Sequence, residues 1–161
     1  AYPTYCEKYL RHFLFIQRTG AIVLFDELAV QSGRRMAFVL HTEKEIVPAG
    51  DKRWTTEWNG SMLTIDSLSP KTLSADIIGG PGKEFWSNGR NYPHKRTENY
   101  PSGAWRLELF PPVGTQTAQL VTVIQTTDAG SRPVRPTYDG TKITIDGLSI
   151  VFSPGGGVSV K

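Results

Sequence analysis

The side chains best suited to binding a ligand are grouped in residues 85–96, where aromatic, amide and basic residues are mixed over twelve positions. Aromatic rings stack on sugar rings, amides and guanidinium groups hydrogen-bond to hydroxyls, and cations match uronate or sulfate groups. Two alternatives stay open for this segment: a loop that folds back on a neighbouring domain, and a disordered stretch. The candidate carbohydrate-binding residues are Trp86, Asn88, Arg90, Tyr92, His94 and Arg96.

The three histidines offer little for catalysis or metal binding. His41 follows an apolar run, and a catalytic base there would need a partner nucleophile or acid, for which the sequence has no signature. We expect His41 to be a structural histidine, hydrogen-bonded at a strand end, and His12 to face solvent or an interface. Because His12, His41 and His94 lack the spacing of metal ligands, the sequence predicts neither a zinc site nor any other cofactor.

Other short patterns that can carry chemistry are also incomplete here. Asp26 and Glu27 are adjacent on a predicted strand, so they point to opposite faces and cannot act as a carboxylate pair on one bond. We expect both to be solvated or to cap a turn. The glycines of residues 79–82 lack the Lys-Ser/Thr ending and the following helix of a phosphate-binding loop. No catalytic residue is therefore predicted.

Length and composition indicate one turn-rich domain. A chain of 161 residues is long enough for one ordinary hydrophobic core, and residues 1–161 are predicted to form a single domain. With 16 glycines and 11 prolines, many turns are expected. Because the chain starts at Ala1 and not at Met, we expect it to be a fragment or a processed product.

Charge and cysteine content argue against several classes of partner. The formal charge is +3, and the basic residues are scattered in pairs, whereas nucleic-acid-binding proteins usually concentrate them on one face. The single cysteine, Cys6, excludes an internal disulfide. The longest apolar runs, such as residues 21–25, are too short to span a bilayer, and no signal peptide opens the chain. We expect neither a nucleic-acid nor a membrane partner.

The order of apolar residues predicts an all-β fold. Residues 61–67 alternate between apolar and polar side chains, and Asn59-Gly60 before them is the dipeptide best suited to a two-residue type I′ hairpin. No apolar stripe of helical period extends over eleven residues or more. Residues 79–104 lack periodicity and form the one long Gly/Pro/aromatic loop. The fold is predicted to be an antiparallel two-sheet β-sandwich of about ten strands.

Several stretches together resemble the C-terminal β-sandwich region of the heparinase II/III-like polysaccharide lyases. Residues 9–16 and 21–28 are similar to a pair of strands in that family, an apolar strand with an Arg followed by a strand with Val/Phe-Asp, and residues 38–41 to the following strand with its terminal His. Residues 79–93, reading GGPGKEFWSNGRNYP, are similar to a glycine-rich segment found in one branch of such proteins. Residues 104–109 resemble the strand that follows. Only the glycine-rich segment is a specific motif.

The resemblance implies that the chain is the C-terminal part of a larger protein, a non-catalytic β-sandwich that braces an N-terminal helical toroid domain of the same parent chain. Members of the family cleave uronate-containing glycans by β-elimination, so contact with an acidic polysaccharide and a periplasmic or extracellular location are implied as well. The helical part and the His-rich, metal-bearing strands have no counterpart here, and His41 does not match the catalytic His motif. The alternative from another class is a free-standing carbohydrate-binding or adhesive module.

Overall fold

A computed structural model of the protein describes residues 5–92, 103–153 and 157–161. All regular elements in these ranges are β-strands. The strands are β1 (Cys6–Ile16), β2 (Ala21–Val30), β3 (Phe38–Thr42), β4 (Val47–Gly50), β5 (Arg53–Trp58), β6 (Ser61–Ser69), β7 (Ser74–Gly79), β8 (Trp86–Ser87), β9 (Arg90–Asn91), β10 (Trp105–Phe110), β11 (Thr117–Asp128), β12 (Thr137–Tyr138), β13 (Lys142–Ile145), β14 (Leu148–Phe152) and β15 (Val158–Val160).

The largest sheet has six strands in the order β1-β2-β11-β6-β5-β4, and every pair in it is antiparallel. Its middle strands are apolar on both faces. Along β2, Val23 and Phe25 point to one face and Leu24 to the other, and all three are buried. A strand that is apolar on both faces must be covered on both.

A three-stranded sheet, β3-β10-β7, covers one face of the six-stranded sheet. Its inward side chains, among them Phe38, Leu107 and Leu109, pack with Leu24 and Ile65 in one core cluster. We call this side the β3 face. The opposite side, the β13 face, is covered by the four-stranded sheet β12-β13-β14-β15.

The second core cluster lies on the β13 face. Ile143 and Ile150 are fully buried there against Val23 and Phe25 of β2. The rings of Phe25 and Phe152 are stacked, with their centroids 4.8 Å apart and their planes at 19°. The six-stranded sheet is therefore a middle layer between two smaller sheets.

These observations confirm the predicted all-β, antiparallel fold and correct its detail. The prediction of about ten strands in two sheets is not confirmed, because the described residues form fifteen strands in four sheets. The hairpin predicted at Asn59-Gly60 is confirmed: both residues have positive φ, 50° and 74°, and Trp58 pairs with Ser61. Within the described residues, no helix has the length and apolar character needed to cross a bilayer.

Two aspartates are buried in the six-stranded sheet, and each is paired with an arginine on the neighbouring strand. Arg11 donates from Nε and Nη2 to the two carboxylate oxygens of Asp26, at 2.6 and 2.7 Å. Arg53 binds Asp66 in the same way, at 2.7 and 2.8 Å. Bidentate pairing compensates the loss of hydration on burial. The expectation that Asp26 is solvated was therefore wrong.

Glu27 points to the face opposite Asp26, as predicted. Its carboxylate accepts from Lys8 Nζ at 2.5 Å and lies 3.7 Å from His12 Nε2. The Lys8 hydrogen bond, with a smaller contribution from His12, lowers the pKa of Glu27. His12 is buried between two sheets, with its ring 5.4 Å from that of Phe152. It thus lies at an interface, which is one of the two environments expected for it, and does not face solvent.

The Arg53–Asp66 pair yields a prediction on stability. Replacing Arg53 by Met leaves the Asp66 carboxylate buried and unpaired, which is expected to lower the free energy of unfolding by about 3 kcal/mol. The matched control is Arg18→Met, because Arg18 pairs with Asp146 where both side chains are about half exposed (58% and 46%). The control is expected to cost less than about 1 kcal/mol. Urea denaturation measures both, and equal losses would contradict the prediction.

Candidate functional site

Four of the predicted carbohydrate-binding residues lie in one short hairpin. Strands β8 and β9 pair through Trp86 with Asn91 and Ser87 with Arg90. The turn between them, Asn88-Gly89, has φ angles of 48° and 81°, the conformation of a type I′ turn. The sequence contained this signal, but the flanking strands of two residues each are too short to show alternation. The predicted loop without structure is therefore a hairpin over this part of its length.

The hairpin is stabilised by hydrogen bonds from within its own segment. Asn91 accepts from the Phe85 N–H at 2.8 Å and donates to Glu84 Oε2 at 3.2 Å. The other oxygen of Glu84 accepts from the Gly82 N–H at 3.1 Å. Hydrogen bonds from its own backbone N–H and from that of Gly82 lower the pKa of Glu84. Asn91 and Glu84 therefore have a structural role.

Strand β10 holds the hairpin against the body of the domain. Arg106 Nη2 donates to the Trp86 carbonyl oxygen at 2.9 Å, and Arg106 Nε donates to Glu108 at 2.6 Å. At the start of the segment, Gly79 lies so close to β10 that an added Cβ would be 2.4 Å from the Ala104 carbonyl oxygen. Only glycine allows this approach. The hairpin is therefore fixed through both Gly79 and Arg106.

Each of the two aromatic rings of the hairpin has a cation within 6 Å of its centre. Lys83 Nζ lies 5.8 Å from the centre of the half-buried Trp86 ring, and Arg90 lies 4.2 Å from that of Tyr92. Asn88 forms the turn, so its conformation is explained without a ligand. His94 and Arg96, the remaining two predicted residues, lie outside the described residues. The hairpin thus presents Arg90 and Tyr92, which is 43% exposed, as its accessible ligand-binding groups.

A second candidate site is a cleft of about 310 Å³ on the β3 face, which we call the Trp58 cleft. Four strands and the loop after β3 contribute to it, so no local sequence pattern could have revealed it. The lining side chains that carry chemistry or apolar surface are His41, Glu43, Lys44, Thr56, Trp58 and Leu63.

Two buried oxygens of cleft residues have no hydrogen-bond partner within the described residues. They are Thr56 Oγ1, on a residue only 9% exposed, and Glu43 Oε2. Lys44 Nζ lies 3.9 Å from the other oxygen of Glu43 and 6.0 Å from the centre of the Trp58 ring. Buried polar groups are normally paired, so a hydrogen-bond donor from outside the protein, water included, would stabilise both oxygens.

His41 lies at the margin of this cleft and has a close neighbour there. A Cβ added to Gly103 would be 2.9 Å from the His41 Cβ, so the two residues are in tight contact. His41 is exposed within β3, directly opposite Arg106 on β10. Among the described residues the His41 side chain makes no hydrogen bond, so the one expected at the strand end is not found there; its close contact is with Gly103.

A third feature is the uncovered aromatic surface of β1, an edge strand of the six-stranded sheet. Tyr9, Phe13 and Phe15 point to the β3 face and are 57%, 63% and 56% exposed. Arg11 lies between them and is fixed by Asp26. We call these four side chains of β1 the aromatic edge. A row of exposed aromatic residues of this kind is typical of an interaction surface.

No protein-family model matches the chain, and no curated protein sequence matches it. In the part of the chain that the structure describes, no group of three or more His, Cys, Asp or Glu side chains is arranged to hold a metal ion. The hairpin, the Trp58 cleft and the aromatic edge are therefore the basis for any assignment of function.

The close approach of Gly79 gives a prediction for the hairpin. Gly79→Ala forces its methyl group against the β10 backbone, and we expect a loss of about 3 kcal/mol in the free energy of unfolding. Gly82→Ala is the control, because nothing lies within 4 Å of its added Cβ and only its positive φ of 78° is unfavourable. That cost is expected to be about 1 kcal/mol. Thermal unfolding compares the variants, and a control as destabilised as Gly79→Ala would contradict the role of the close contact.

The lowered pKa of Glu84 predicts a pH dependence. Because the folded-state pKa lies below the ordinary value of 4.5, the stabilisation of the hairpin is fully present above pH 4.5. It is lost as the pH falls through the folded-state pKa. The Gly82 amide proton, followed by NMR, should shift over that acid range. Glu84→Gln should abolish the step, and a step that persists in this variant would show that another group causes it.

Proposed function

We propose that this chain is a non-catalytic β domain of a polysaccharide lyase similar to the heparinase II/III-like enzymes, and that it braces the helical domain of its parent protein through the aromatic edge. The single observation that carries the proposal is the exposure of Tyr9, Phe13 and Phe15 in a row on one edge strand. Such a surface is unfavourable in water, because each exposed aromatic ring forgoes the free energy that its burial against a partner would gain.

The aromatic edge has the composition of the centre of an interface. Aromatic residues and arginine are enriched at protein interfaces, whereas lysine and glutamate are depleted. Arg11 is held by Asp26 through two hydrogen bonds, so little side-chain entropy is lost when a partner covers it. The exposed edge of β1 is also a place where an unprotected sheet would associate with other chains. A partner domain that covers this edge removes both liabilities.

The resemblance to the lyases agrees with this assignment of the partner. Residues 9–16, which include the aromatic edge, are one of the stretches that carry it. A helical toroid packed beside the β domain is the neighbour that the resemblance implies. Uronate-containing glycans as substrates of the parent enzyme, and a periplasmic or extracellular location, belong to the same proposal. The hairpin with Arg90 and Tyr92 is then a further surface for contact with an acidic polysaccharide.

The proposal predicts that the aromatic edge is covered in the parent protein. Hydroxyl-radical footprinting should label Tyr9, Phe13 and Phe15 strongly in the isolated chain and weakly in the full-length gene product. Val113, which is 91% exposed in a loop, is the internal control and should be labelled equally in both. Equal labelling of the aromatic edge in both proteins would overturn the docking role and favour a free-standing module.

A substitution tests the same surface by its effect on the parent protein. Phe13→Asp should leave the stability of the isolated chain within about 0.5 kcal/mol, because the ring is mostly in solvent. In the full-length protein it should restore labelling of Tyr9 and Phe15. The matched control is Val113→Asp, which adds the same charge away from β1. Restored labelling in both variants would contradict a specific interface.

The non-catalytic role predicts that the isolated chain does not perform β-elimination. With alginate, hyaluronan or heparan sulfate, no ultraviolet absorbance of an unsaturated sugar product should develop. β-Elimination needs a base and a carboxylate-neutralising group together in one water-shielded site. Turnover that is present in the isolated chain and lost in His41→Ala would show that the domain is catalytic.

A further inference from the structure

We infer that the Trp58 cleft is a binding site for one neutral sugar ring. It is separate from the aromatic edge and the hairpin, and this inference does not depend on the proposed lyase role. The cleft combines an exposed aromatic ring, an apolar floor and two buried oxygens without partners among the described residues, each of which has a counterpart in the chemistry of a pyranose.

The position of the cleft gives it rigid walls. Trp58 and Thr56 are two residues apart on β5 and therefore point to the same face, and Leu63 lies opposite Thr56 on β6. These three residues form the floor on the six-stranded sheet, and His41 and Glu43 form the wall at the end of β3. A volume of about 310 Å³ is at the small end of the range for ligand pockets. It suits a single ring better than a long oligosaccharide.

The aromatic component is Trp58, the last residue of β5. Its side chain is 48% exposed although it lines the cleft, so part of the ring is available to a ligand. The Asn59-Gly60 turn immediately after it fixes the direction of the strand end. A sugar ring presents its axial C–H groups to such a surface, and this contact buries apolar area on both partners.

The polar component requires a ligand that donates hydrogen bonds. A carboxylate oxygen such as Glu43 Oε2 only accepts, and the Thr56 hydroxyl can accept as well as donate. Thr56 is nine-tenths buried and has no partner among the described residues, so the desolvation of its hydroxyl is not compensated. Both oxygens have almost no accessible surface, so a sugar hydroxyl can donate to them only once neighbouring side chains of the cleft move aside.

The charges in the cleft favour a neutral ligand. Lys44 lies over Trp58, so a cationic ligand stacked on that ring would be repelled by the ammonium group. An anionic ligand that reached the unpartnered oxygen would meet the carboxylate of Glu43. The opposite charges of Lys44 and Glu43, with 3.9 Å between Nζ and Oε1, leave the lining close to neutral overall. A hydroxylated ring without charge avoids both repulsions.

The test is an NMR titration of the isolated chain with methyl glucoside and methyl galactoside as neutral probes, and with glucuronate and glucosamine as charged ones. We expect at least one neutral probe to shift the Trp58 indole N–H and the amides of residues 41–44 in a saturable way. Binding of charged probes alone, or of none of the four, would overturn the inference.

Variants locate the binding. Trp58→Ala should weaken the affinity for the neutral probe about tenfold, through lost stacking. Thr56→Val keeps the shape of the side chain, removes the hydroxyl and should weaken the affinity about three- to tenfold. Tyr5→Ala is the matched control, because it removes an aromatic side chain of the same 48% exposure from outside the cleft, and it should leave the affinity unchanged. Dispersed amide spectra verify that each variant is folded.

The outcomes remain distinct from those for the proposed lyase role. An affinity lowered equally in Trp58→Ala and Tyr5→Ala would overturn the assignment to the cleft, whatever the aromatic edge does in the parent protein. Conversely, sugar binding that depends on Trp58 would support the inference even if footprinting showed the aromatic edge to be free.

Discussion

The pairing of β2 with β11, two strands that are apolar on both faces, is the constraint on which the remaining structure depends. Nine residue pairs join them, from Thr117 with Ala29 to Gln125 with Ala21. Val23 faces Val123 on the β13 face, and Leu24 faces Thr122 on the β3 face. Since neither face can be left in water, the chain must supply a sheet for each side. The smaller sheets are therefore consequences of the composition of these two strands.

The same constraint determines where charge enters the sheet and which surfaces stay open. Asp26 lies on β2 within the covered region, and an arginine from the outer neighbour β1 neutralises it there. Arg11 must therefore point to the β3 face, and because side chains alternate, Tyr9, Phe13 and Phe15 must point there as well. The three-stranded sheet does not reach far enough to bury them. The exposure of the aromatic edge thus follows from the register that pairs Arg11 with Asp26.

The sequence was sufficient for the fold class and for single turns, since both depend on neighbouring residues. The alternation in residues 61–67 and the Asn59-Gly60 dipeptide are local signals, and both led to correct predictions. The middle layer was not predicted, because alternation of side chains along the sequence identifies a strand but does not show whether a second sheet packs on its less apolar face. Asp26 is an example. A charged residue at the end of an apolar run suggests exposure to solvent, and its partner Arg11 can be identified only from the pairing of β1 with β2. The Trp58 cleft was out of reach for the same reason, since Thr126 on β11 and His41 on β3 meet there only through tertiary structure.

Strand β3 connects the surfaces to which we assign functions. Phe38 at its start lies under Arg11 of the aromatic edge, 6.0 Å from guanidinium to ring centre, whereas His41 near its end lines the Trp58 cleft. The strand is paired with β10 from Phe38 to Thr42, and β10 also holds the hairpin through Arg106. A partner on the aromatic edge would therefore rest on the same rigid ladder that shapes the cleft. Because the cleft lies at the far end of that ladder, a domain docked at β1 can leave it open to a sugar.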